Sequence, residues 1–322
     1  MGFEESILFS VFGRPVTAYA LCLALAAGIG LWLFAVRGKK QGIPGPVLWH
    51  AALLSVPFGL IGARVFYCVC LLNFYAEMGF DAALRLWEGG YALWGAVGGV
   101  TLAAVIAAKT GKQPAGKLLD ALAPSAALVI GLMRLAEYFS GEGVGLYVED
   151  EAFCRFPLAV CNQYGEWHFA IFLLEALAAL VIFAVLLRSK RKNGDLARLF
   201  LLLYCACQIV LESMRRDNYL RWLFVRVSQL TSVLVIAGMM IAAVIRWARN
   251  KEARHMTGKQ IILCWAAVLA CAGICVALEF SVDGKILPDI PVWADYALMA
   301  CCCAGIGAAA YRVIFHSVKT RE

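Results

Sequence analysis

The sequence predicts an all-α, polytopic helical membrane protein with about nine transmembrane helices, and three observations carry that expectation. Apolar residues fill 62% of 322 positions and charged residues only 16%, where soluble domains hold roughly half and a quarter; mean hydropathy is +0.77. The apolar residues gather in blocks of roughly twenty, the length at which a helix crosses the hydrocarbon layer while satisfying its own backbone groups. Loops rich in Lys and Arg alternate with loops that are poor in them, as positive-inside topology requires. The shorter alternating segments of a transmembrane β-barrel are missing.

The blocks place spans near residues 17–36, 46–75, 90–108, 118–139, 167–187, 197–214, 225–245, 260–280 and 293–316. Ahead of the first, Met1 to Phe12 carries Glu4 and Glu5 and no basic n-region, which predicts a first span that is retained.

One set of loops holds Arg37, Lys39 and Lys40; Lys109, Lys112 and Lys117; Arg188, Lys190, Arg191, Lys192 and Arg198; and Arg246, Arg249, Lys251, Arg254 and Lys259. The alternate loops carry acids such as Glu149, Asp150 and Glu151, with one basic exception at Arg215, Arg216, Arg221 and Arg226. The rule puts the basic set in the cytoplasm, the N-terminus outside and the C-terminus inside. The net charge of +7 then reflects topology, and no nucleic-acid partner is implied.

Most of the thirteen cysteines lie inside apolar spans, where they act as small hydrophobes. Cys68 with Cys70, and Cys205 with Cys207, fall on divergent helix faces and suit no zinc pattern, so no metal site is expected. Only Cys154 and Cys161 occupy an outer loop, where an oxidising compartment can join them.

Charge at membrane depth costs roughly 2.5–3.5 kcal/mol per residue, so each buried ion asks for a reason. Arg64 lies in the outer half of the second span and Arg134 in the outer half of the fourth. Glu175 lies in the fifth, with His168 at its outer end, and Glu212 and Arg215 close the sixth. Three readings of the arginines stand side by side. They snorkel or form internal pairs, Arg134 with Glu137 at i, i+3; they grip an anion such as a lipid phosphate; or they line a solute path.

The surrounding residues resemble the prolipoprotein diacylglyceryl transferase family. Its signature runs G-R-x-x-N-F-x-N-G-E-x-x-G, and Arg134, Tyr138, Gly141, Glu142 and Gly145 occupy its arginine, aromatic, glycine, glutamate and last glycine positions. Gly62-Ala63-Arg64 with Tyr67 is similar to its G-A-R-x-x-Y segment, and Tyr19 to its embedded tyrosine. Gly89-Gly90 through Gly98-Gly99 is similar to its glycine-rich third-span entry. Glu212-Ser213-Met214-Arg215 and Ser228-Gln229 to Ser232 follow its E-x-x-R and S-Q-x-x-S stretches. Trp94 stands where the family carries histidine, Glu137 and Ser140 where it carries asparagines, and Gln208 where it carries arginine.

The resemblance implies a transferase of bacterial lipoprotein biosynthesis. Such an enzyme moves a diacylglyceryl group from phosphatidylglycerol to the lipobox cysteine of a prolipoprotein signal peptide, at the outer face of the cytoplasmic membrane, without a cofactor. It implies catalytic roles for Arg134, Tyr19 and Glu142 or Glu137, and substrate contacts from Arg64, Arg134, Gly141, Gly145, Glu212 and Arg215. It places a family-like domain of seven spans in residues 1–250 and an added helical hairpin in 251–322. A paralogue that binds lipid or lipopeptide without catalysis is the alternative, and a transporter the third, for which no internal repeat argues.

Overall fold

A computed structural model describes residues 7–11, 13–191, 193–217, 220–222, 225–282 and 291–318. Glu4, Glu5 and Lys192 of the sequence reading lie outside these residues. The described chain contains nine helices long and apolar enough to cross a membrane. They are α1 (Ala18–Lys40), α2 (Gly45–Cys70), α4 (Leu93–Thr110), α5 (Ala115–Ala136), α6 (Ile171–Arg188), α7 (Asp195–Met214), α8 (Val227–Arg249), α9 (Gly258–Val282) and α10 (Val292–His316), with the short α3 (Leu72–Met78) after α2. The protein is a multi-pass helical membrane protein. The apolar block read as one span over 46–75 is divided: α2 ends at Cys70, Leu71 leaves helical geometry at φ −112°, ψ 35°, and α3 starts afresh.

The strands are short and antiparallel: β1 (Ile7–Val11) with β2 (Arg14–Thr17), β3 (Ala159–Cys161) with β4 (Trp167–Phe169), and β5 (Arg221–Trp222) with β6 (Val225–Arg226). Cys154 and Cys161 are free thiols here.

The chain divides into two compact units: Met1–Phe200 with Arg215–Ser228, and Leu201–Met214 with Gln229–Glu322. In the first, local chemistry sets the helix ends. Thr17 caps α1 by accepting from the Ala20 amide at 3.2 Å, which satisfies a donor that the first turn cannot pair internally. Arg37, Lys39 and Lys40 crowd its last turn, where cations meet the negative end of the helix dipole. The α7 N-terminus is capped from a distance, because Asp120 of α5 accepts from the amides of Gly194 (2.7 Å) and Ala197 (3.0 Å).

Packing in this unit pairs α2 with α4, α1 with α5 and α5 with α6. The α2–α4 contact is a glycine seam. A Cβ added to Gly62 would lie 2.5 Å from the Gly95 carbonyl oxygen, and one added to Gly99 would overlap the Phe58 carbonyl. Small residues let membrane helices approach until backbones touch, which supplies the dispersion contact that an apolar solvent does not. Half of the apolar window of α5 is buried, against 17% for α1. The open face of α1 carries Leu21, Leu25, Ile29 and Trp32, as a lipid-facing stripe should.

In the second unit α9 packs against α10. Polar groups buried among these helices pair locally: Gln208 donates to Glu212 at 2.9 Å, Ser281 to Asp295 at 3.0 Å, and Ser213 to Glu279. The Tyr296 hydroxyl donates to the Ser213 carbonyl at 3.3 Å.

Candidate active site

The candidate site forms where α5 stops. After Arg134 the helix tightens into a 3₁₀ turn at Glu137–Phe139, and the Gly141 amide returns to the Glu137 carbonyl at 3.0 Å. Gly141 takes φ +73°, the left-handed stop that glycine accepts without a Cβ penalty. The chain then runs through Glu142, Gly143, Val144 and Gly145 to a hydrogen bond from the Gly145 amide to the Phe169 carbonyl, 2.8 Å.

This turn sets Arg134 and Glu137 three residues apart on one face, their side chains 11% and 7% exposed, with Nη1 to Oε1 at 2.5 Å. Arg134 Nε also lies 3.2 Å from Glu175 Oε2, which α6 delivers from the side. Arg215, in the segment after α7, approaches the same carboxylates: Glu175 at 3.1 Å and Glu137 at 3.6 Å. Its other edge grips Asp217 through two bonds, Nε to Oδ1 at 3.1 Å and Nη2 to Oδ2 at 2.5 Å. Asp217 in turn accepts from the Gly143 amide at 2.7 Å, and Arg226 donates to the Arg215 carbonyl at 2.8 Å. Two guanidiniums and three carboxylates thus form one buried network across three chain segments.

Glu142 and Tyr19 stand beside it. The Tyr19 phenol, from the first turn of α1, is within electrostatic range of Arg134, Glu137, Glu142 and Arg215. Glu142 is exposed by surface area yet hemmed in by enough protein that desolvation raises its pKa, and the charges of Glu137 and Asp217 raise it further. A carboxylate held above its ordinary value is a better proton acceptor at neutral pH. Asp217 goes the other way: burial pushes its pKa up, but the hydrogen bonds and charge of Arg215 and the Gly143 amide outweigh that and lower it.

Of the residues expected from sequence, the structure therefore brings Arg134, Glu137 and Arg215 into one network, with Tyr19 and Glu142 beside it and Gly141 and Gly145 shaping its loop. Glu212 belongs to the second unit and pairs with Gln208. Arg64 makes its hydrogen bonds to a loop. Its five N–H groups all point at carbonyls: Nε at Ala83 (3.0 Å), Nη1 at Gly89 and Gly90, and Nη2 at Ala82 (2.9 Å) and Arg85 (3.3 Å). The residue is 5% exposed, so it clamps the 82–90 loop from inside. Lysine has three donors and no fork, so Arg64→Lys should lower thermal stability in detergent by about 1–3 kcal/mol. An unchanged melting temperature would contradict the clamp.

Glu175 and Asp217 join the network and were not assigned to the site from sequence; Gly143 stands with Gly141 and Gly145 as a glycine of the loop. Gly143 takes φ +72°, and a Cβ there would lie 2.5 Å from Glu137 Oε2 and 2.6 Å from the Phe172 Cβ. Trp94, at the position of the family histidine, is 8% exposed in the first turn of α4. Among the described residues no group of three or more His, Cys, Asp or Glu is arranged to hold a metal.

A family model described as prolipoprotein diacylglyceryl transferase matches residues 6–245. The chain belongs to that family. It is 27% identical over 254 residues to the phosphatidylglycerol–prolipoprotein diacylglyceryl transferase of Bacillus licheniformis, covering 76% of this chain and 93% of the relative. It is 29% identical over 246 residues to the protein so named from Mycobacteroides abscessus, covering 70% and 72%. Family membership makes the chain an enzyme of the transferase class and places its helices in the bacterial cytoplasmic membrane. Helices α9 and α10 follow the matched segment.

Proposed function

We propose that this chain transfers a diacylglyceryl group from phosphatidylglycerol to the lipobox cysteine of a prolipoprotein signal peptide. The observation that carries the reading is the convergence of Arg134 and Arg215 on one buried network beside Glu142 and Tyr19. Glu142 takes the proton from the acceptor thiol, because the thiolate is the nucleophile and a free thiol ionises only near pH 8.5. The sulfur bonds to the glycerol carbon as the bond from that carbon to the phosphate oxygen breaks. Charge gathers on the departing glycerol phosphate, which Arg134 stabilises and which finally takes up the proton. A donor preorganised in a water-poor site is most effective at such developing charge.

Transfer of labelled lipid to a lipobox peptide, with a cysteine-free peptide as control, tests the reading. The rate should climb with pH along an acid limb set above the ordinary glutamate range, and Glu142→Gln should abolish that limb with most of the rate. A limb that survives the substitution would remove Glu142 as the base. Lipid binding without any transfer would favour the non-catalytic alternative.

We place the site on the outer side, with the N-terminus outside and the C-terminus in the cytoplasm, from the Lys/Arg asymmetry of the loops. Reporter fusions after Gly38, Asn193 and Lys251 should signal cytoplasm and a fusion near Asp150 the outer side. An outer signal at Asn193 would reverse the assignment. The loop at Asp283, also outer in this scheme, lies outside the described residues.

A further inference from the structure

The helices beyond the matched segment carry an arrangement of thiols that the transferase reading does not use. Cys271 and Cys275 lie one turn apart on α9, and Cys302 and Cys303 are neighbours on α10. All four are free. The Cys302 thiol is within hydrogen-bonding reach of both Cys271 and Cys275, and Cys275 reaches Cys303 as well. The contacts therefore run Cys271–Cys302–Cys275–Cys303, crossing from one helix to the other at every step. They make a line and not the closed group that a metal ion needs; among the described residues no such group occurs.

Two further observations set this line apart from cysteines that only fill space. The helices run close together here, since a Cβ added to Gly305 of α10 would lie 3.3 Å from the Cys271 sulfur. A disulfide needs that proximity, because its Cα atoms stand about 4.4–6.8 Å apart. Exposure is also graded along the line: Cys271 is half-buried, whereas Cys275, Cys302 and Cys303 are buried. On a membrane helix the open side meets lipid. Charged reagents stay out of hydrocarbon, but a neutral peroxide enters it and meets Cys271 first. A buried thiol by itself is inert; a half-buried one with a second thiol in reach can complete an oxidation.

We infer that the α9–α10 seam is a site of oxidative modification, at which a peroxide joins Cys271 and Cys302 in a disulfide between the two helices. In the first step the Cys271 sulfur takes one peroxide oxygen as the O–O bond breaks. The other oxygen leaves as water or an alcohol, and a sulfenic acid remains. In the second step the Cys302 sulfur bonds to the Cys271 sulfur and displaces the hydroxyl as water. The thiols lose two electrons and the peroxide gains them. Exchange with Cys275 then moves the bond along the line, and at each contact it still links α9 to α10. These helices also hold Ser213 at the end of α7, its side chain through Glu279 and its carbonyl through Tyr296, so the bond ties both grips together. Hydrogen peroxide and a phospholipid hydroperoxide share this chemistry.

The experiment exposes the full-length protein, one copy per nanodisc, to each peroxide separately. The remaining thiols are then blocked with N-ethylmaleimide during denaturation, and the chain is cut with trypsin. Cleavage after Lys259, Lys285 and Arg312 puts the α9 thiols on one peptide and the α10 thiols on another. In one arm or both, the two peptides should appear joined, two hydrogens lighter than their sum and separable by reduction, and the arm identifies the peroxide. Cys271→Ala should lose most of the joined product. Cys302→Ala combined with Cys303→Ala should lose all of it, although the exposed Cys301 remains on the same peptide. No joined peptides with either peroxide, an unchanged yield in Cys271→Ala, or joining through Cys301 overturns the inference.

Discussion

Arg134→Gln should lower the yield of folded, monodisperse protein sharply, and adding Glu137→Gln should restore it. Arg134 touches both Glu137 and Glu175, and removing it leaves Arg215 facing three buried carboxylates. Breaking a buried ion pair from one side costs about 3–5 kcal/mol, because a desolvated charge loses its partner; removing a carboxylate as well returns the balance. Transfer should stay low in both, since on the reading proposed above the Arg134 guanidinium is what meets the departing phosphate. Arg134→Lys separates the two duties. Its charge keeps part of the fold, but one ammonium cannot span Glu137 and Glu175 as a planar fork does. Its transfer rate should fall roughly ten- to a hundredfold. Yields of both single variants and the double, measured with transfer, check this. Normal yield in Arg134→Gln would show that the network tolerates the loss and that Arg134 is no structural counter-ion. Restored yield together with restored transfer in the double would remove Arg134 from the chemistry.

The second large effect is expected at Gly143. Alanine there must adopt φ +72° and place a methyl 2.5 Å from Glu137 Oε2 and 2.6 Å from the Phe172 Cβ. The backbone term is about 1–2 kcal/mol, and overpacking against two fixed neighbours adds about 1–3 kcal/mol. The shift also pulls the Gly143 amide from Asp217, whose carboxylate holds Arg215. Gly165 is the control, with φ +81° and no heavy atom within 4 Å of an added Cβ. Gly165→Ala should show the backbone term alone with transfer unchanged, whereas Gly143→Ala should melt lower and lose transfer at least tenfold. Equal melting and equal transfer in the two would mean that the loop relaxes freely and Gly143 holds nothing in place.

The spans were legible because the bilayer imposes one length on every crossing segment. The break at Leu71 was not: Leu71, Leu72, Phe74 and Tyr75 continue the apolar run, and hydropathy does not register a change of backbone direction. Within the site, Arg134 and Glu137 could be paired from sequence, since three residues on a helix bring side chains together. Glu175 was visible as a buried charge, but its partner Arg215 is 40 residues away, and only packing closes that distance. Asp217 had a signal in its place two residues after Arg215, at the end of an apolar span. For Arg64 the buried charge was legible, and the carbonyls it bonds were not. A guanidinium fits backbone carbonyls as well as phosphate oxygens, and the glycines at 89 and 90 were the hint that a loop would fold around it.

The remote cap on α7 bears on how the protein is made. Asp120 waits in α5 while the chain that will meet it, Gly194 and Ala197, has yet to leave the ribosome. Until then that acid has the Arg37 charge of α1 within electrostatic range but no amides to bond, and α7 lacks a partner for its opening amides. The first turn of α7 is therefore capped only when it docks on the earlier α5, and a single carboxylate makes that cap.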